Sequence, residues 1–73
     1  MEIDQAALER YTLLSVLDVL AKGGYDMQDL VNKVHIHAMT CPGDSKIAGI
    51  GAGYKPAIVQ NIQDATGLEP KHS

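Results

Sequence analysis

Cys41 is the only cysteine among 73 residues, so no internal disulfide can staple whatever fold this chain adopts. A domain this short buries only about 60% of the surface its unfolded chain exposes. Chains of this size without a disulfide tend to lean on a metal or a partner. The apolar residues here are aliphatic: Trp and Phe are absent, and Tyr11, Tyr25 and Tyr54 are the only aromatics. Such a core packs with few large anchors, which makes a self-association surface an expectation. The length allows one domain, residues 1–73. A lone thiol suits a reducing compartment, so a cytoplasmic location is expected.

The hydrophobic pattern predicts an all-α domain of three helices, with a glycine-rich connection before the last. Asp4 is a suitable N-cap for a first helix running to Lys22, and Gly23-Gly24 is a stop signal. Along that helix Tyr11, Ser15, Asp18 and Lys22 make one polar stripe. Leu13, Leu14, Val16, Leu17, Val19 and Leu20 cover most of the rest, a wider arc than one stripe of a monomeric bundle requires. A second helix is expected from Asp26, which with Asp29 resembles a capping arrangement. Met27, Leu30, Val31, Val34 and Ala38 continue it at helical spacing. Over residues 34–38 a strand alternative stays open, because Val34, Ile36 and Ala38 also alternate with His35 and His37. Cys41-Pro42-Gly43-Asp44 ends the segment. The third helix is predicted to start at Pro56, since proline lacks an N–H that the first helical position would leave unpaired. Ile58, Val59, Ile62 and Ala65 form its apolar face, and Gly67 with Leu68 and Pro70 closes it. Residues 68–73 read as a frayed tail.

Charge and hydropathy exclude several roles. Met1-Glu2-Ile3-Asp4 is acidic where a secretion signal needs positive charge. The longest apolar stretch, Leu13 to Leu20, is broken by Ser15 and Asp18 and is too short to span a membrane. The net charge of −3 disfavours a broad nucleic-acid surface. Gly49-Ile50-Gly51-Ala52-Gly53 lacks the spacing of a dinucleotide-binding loop and has no Gly-Lys-Ser/Thr for a phosphate. No cofactor is expected.

Three small constellations remain. Ile47-Ala48-Gly49-Ile50-Gly51 followed by Ala57-Ile58-Val59 resembles the helix-hairpin-helix family of DNA-binding motifs. The resemblance implies that Gly49 and Gly51 let hairpin N–H groups approach a DNA phosphate, with Lys46 and Lys55 as flanking charges. Lys55 and Pro56 depart from the family pattern, which would place its second helix from about Ala52. His35, His37 and Cys41 are weak metal candidates: on a helix the two imidazoles point apart, and a structural zinc wants four ligands, with His72 a distant fourth. Cys41 near a histidine, or Ser45 after Gly43-Asp44, would offer a nucleophile. No oxyanion donors or third group accompany either, so no catalytic residue is assigned.

The function that best fits is a small non-enzymatic regulatory or adaptor module working by protein–protein interaction, with itself or a larger protein as partner. Its interaction residues are expected to be Leu13, Leu14, Val16, Leu17 and Leu20. The alternatives are a DNA-binding module using the glycine hairpin and an accessory subunit of a larger enzyme.

Overall fold

The computed structural model describes residues 2–71 and contains three helices: α1 (Gln5–Lys22), α2 (Met27–Thr40) and α3 (Tyr54–Thr66). No strand occurs among the described residues, so residues 34–38 are helical. Among the described residues no helix is long and apolar enough to cross a membrane.

Local chemistry sets most of the boundaries. The Asp4 carboxylate accepts the Ala6 N–H at 3.1 Å, and the Asp26 carboxylate accepts those of Gln28 and Asp29 at 3.0 and 3.2 Å. Each relieves N–H groups that a helix start leaves unpaired. At the end of α1 the Gly24 N–H donates to the Ala21 carbonyl and the Tyr25 N–H to that of Leu20. This is the Schellman arrangement, and it requires the left-handed φ of +85° that Gly24 adopts. Cys41 ends α2 in the same left-handed region, at φ 43°, with its N–H on the His37 carbonyl. It is the one non-glycine residue with positive φ among the described residues.

α3 begins at Tyr54, two residues before the expected start. Two tight turns lead into it, with the Tyr54 N–H donating to the Gly51 carbonyl and the Lys55 N–H to that of Ala52. Pro56 therefore takes the third helical position. It costs no hydrogen bond there, because the first turn has no intrahelical acceptors for its N–H groups. The helix ends as expected, with Gly67 left-handed at φ 72°.

The core is small. Leu17, Val31 and Ile62, one from each helix, meet at its centre, and Val31 is fully enclosed. Leu13, Met27, Leu30, Val34, Ala65 and Leu68 pack around them. Ala38 is also buried. Of α1, the stripe through Leu13 and Leu17 joins this core.

Of the segment expected to fray, residues 68–71 make contacts with the rest of the domain, and residues 72 and 73 lie outside the described residues. Leu68 packs on the core, Gln28 Nε2 donates to the Glu69 carbonyl at 2.7 Å, and the Lys71 N–H donates to Asn32 Oδ1 at 2.8 Å. Gln28 Nε2 also donates to Asn32 Oδ1, so the two α2 side chains form one short network under the closing segment.

Candidate functional site

Helical geometry divides the apolar arc of α1 in two. At 3.6 residues per turn, Leu13 and Leu17 share one stripe, and that stripe faces α2 and α3. Leu17 is 7% exposed and belongs to the domain's own core. Of the expected interaction residues, Leu14 and Leu20 are half-buried and Val16 is 51% exposed. Val19, outside that expected set, is 71% exposed.

A second stripe is thereby left facing outward, through Leu8, Thr12, Ser15, Val16 and Val19. Thr12 and Ser15 look polar in the sequence but contribute little polarity. Thr12 Oγ1 donates to the Leu8 carbonyl and Ser15 Oγ to the Tyr11 carbonyl, each at 2.8 Å. Both hydroxyls are turned back on the helix, as serine and threonine do when they bond one turn upstream. Thr12, Ser15, Val16, Val19 and Leu20 line a shallow apolar hollow of about 310 Å³. Ile3 and Tyr11 extend the exposed apolar surface toward the start of the helix.

The spacing Leu8, Thr12, Ser15, Val19 marks this stripe in the sequence, where Ser15 reads as part of the polar stripe through Tyr11, Asp18 and Lys22. Which stripe turns inward is decided by α2 and α3, so the pattern of α1 alone could not rank Val19 above Leu17.

The metal candidates are engaged with the chain itself. His37 Nε2 and Ser45 Oγ lie 2.8 Å apart, and the Cys41 thiol donates to the Ile47 carbonyl at 3.2 Å. His35 is half-buried on α2. No group of three or more His, Cys, Asp or Glu side chains positioned for a metal occurs among the described residues. His72 lies outside them. Ser45 Oγ also accepts the Ile47 N–H at 3.2 Å, so the His37–Ser45 contact ties the connecting loop to the end of α2.

The glycine hairpin is a succession of tight turns. The N–H groups of Ser45, Ala48 and Ile50 donate to the carbonyls of Pro42, Ser45 and Ile47. Gly49 is left-handed at φ +81° with open space around it, while Gly51 sits against the Tyr54 ring. The Ile50 N–H, central to the hairpin, is thus spent on the loop. Lys46 is exposed and Lys55 half-buried. Lys33 does not add a free cation: its ammonium lies 2.8 Å from the Asp29 carboxylate. Hydrogen bonding to that carboxylate, with a further contribution from Tyr25, raises the lysine's pKa.

A larger open hollow, about 390 Å³, runs along Ala57, Ile58, Gln60, Asn61 and Asp64 on α3. Gln60 there donates to Asp64 at 2.9 Å, and nothing in it pairs a nucleophile with a base. No protein-family model, curated protein or solved structure significantly matches this chain.

Proposed function

We propose that this protein is a non-enzymatic interaction module that binds protein through the outward stripe of α1. One observation carries the reading: Leu8, Val16 and Val19 are exposed along one helix face whose intervening hydroxyls, on Thr12 and Ser15, are already bonded. An apolar helix face with its polar groups satisfied internally gains by being covered and loses little hydration in the process. Recognition of this kind reads anchors at helical spacing. The lone thiol of Cys41 supports a cytoplasmic setting.

The DNA-binding alternative would need the hairpin amides and a set of free cations. Against it stand the Ile50 N–H spent within the loop and Lys33 held by Asp29. The test is affinity capture from the native host with the immobilised full chain, alongside a Val16→Asp, Val19→Asp variant. Bound protein, identified by mass spectrometry and lost with the variant, supports the proposal. Retention of DNA alone, or identical capture by both chains, overturns it.

A further inference from the structure

We infer that the occupant of the α1 face is a second copy of this chain, paired antiparallel about a two-fold axis near the middle of the helix. The inference rests on the interaction reading above and names its partner.

Surface area supplies the first argument. A compact monomer of 7.8 kDa exposes about 4,400 Å² on the usual size scaling. This chain exposes 5523 Å². The surplus, roughly 1,100 Å², exceeds the ~800 Å² that each partner contributes to a standard stable interface. The radius of gyration agrees, at 13.3 Å against about 11.2 Å for a compact chain of this length. One pairing of ordinary size would bring each copy close to the surface expected for its mass.

The location of the exposed apolar side chains supplies the second. Of the nine large apolar side chains that are exposed among the described residues, five lie on α1 or just before it: Ile3, Leu8, Tyr11, Val16 and Val19. They are spread along the helix, with Leu8 and Val19 at similar distances from a midpoint between Leu13 and Leu14. A two-fold axis there sets Leu8 of one copy over Val19 of the other. Thr12 then meets Ser15 at the crossing, where small side chains with bonded hydroxyls permit close approach. The face is therefore complementary to itself, as a two-fold interface must be.

Charge favours one direction. Glu2, Asp4 and Glu9 outnumber Arg10 toward the start of α1, and Lys22 stands in its last turn, one turn beyond Asp18. An antiparallel pair brings Lys22 of each copy toward the acidic start of the other and opposes the helix dipoles. A parallel pair would place acid beside acid.

The experiment is sedimentation velocity on the full chain over a concentration series to about 1 mM, run beside Val16→Asp with Val19→Asp. The expected result is a species of twice 7.8 kDa for the parent. In the variant, two unpaired charges at the interface should raise the dissociation constant by about a hundredfold or more while the helical circular dichroism persists. Spin labels provide a readout independent of that variant, in a Cys41→Ser background. Labels at Gln5→Cys should be separated by about 25 Å along the helix axis, and labels at Ser15→Cys should lie close together. Equal short distances at both positions overturn the antiparallel arrangement, and a dimer that survives the double substitution overturns the face. A parent that stays monomeric overturns the second copy. If that monomer still captures another protein through Val16 and Val19, the interaction reading stands without it. If it captures none, both fall.

Discussion

Leu17 and Val19 sit two residues apart on α1, and the structure assigns them opposite consequences. Leu17 is enclosed by Val31 and Ile62 at the centre of the core, whereas Val19 is 71% exposed. Truncating a buried leucine to alanine removes its transfer free energy and leaves a cavity, together about 2–5 kcal/mol. The surroundings of Leu17 include half-buried Leu13 and Met27, which can partly close the gap, so about 2–3 kcal/mol is expected for Leu17→Ala. A chain of this length has a total stability of about 4–11 kcal/mol, so the loss is a large share of it. The melting temperature should fall by about 10–20 °C. Val19→Ala removes no intramolecular packing of comparable size and should stay within about 0.5 kcal/mol. Urea denaturation followed at 222 nm, at protein concentrations low enough to keep the chain monomeric, measures both. A Leu17→Ala loss below about 1 kcal/mol would show that α1 is not held by this core. A Val19→Ala loss as large as that of Leu17→Ala would show that the outward stripe has been assigned to the wrong side of the helix.

Asp26→Ala should cost about 1 kcal/mol in the same assay, because one carboxylate accepts both the Gln28 and Asp29 N–H groups. Gly24→Ala should cost about 1–2 kcal/mol from backbone strain alone, since an added methyl group would meet open space but the φ of +85° would remain. Random duplex DNA should bind weakly or not at all at physiological salt, as only a few phosphates would find a free cation. Fluorescence anisotropy that shows micromolar affinity, lost in Lys46→Glu with Lys55→Glu, would put the hairpin reading first.

The helices were legible because their ends are written in short-range chemistry. Asp4 and Asp26 cap, Gly23-Gly24 and Gly67 turn the chain, and each acts within a few residues. The start of α3 was less so, because the turns over Gly51 and Ala52 let the helix begin ahead of Pro56. The contacts of residues 68–71 were not legible for a different reason: their partners, Gln28 and Asn32, lie far upstream on another helix. The pairing of His37 with Ser45 likewise depends on how the loop folds back across α2. On α1 the apolar residues were visible, but their division between core and surface was not, since it follows from which stripe meets Val31 and Ile62. The return of the Thr12 and Ser15 hydroxyls to their own helix completed a face that composition had concealed.

The attachment of residues 68–71 to α2 also bears on the order in which the chain folds. The bonds from Gln28 to Glu69 and from Lys71 to Asn32 bridge 41 and 39 residues, while the other side-chain hydrogen bonds described above bridge eight or fewer. Helical turns and their caps close short loops and form early; a contact across some forty residues needs most of the chain already in place. Docking of residues 68–71 is therefore expected late in folding, and early to reverse when the domain opens. Amide hydrogen exchange at Lys71 should accordingly report partial opening long before exchange at Val31 reports global unfolding.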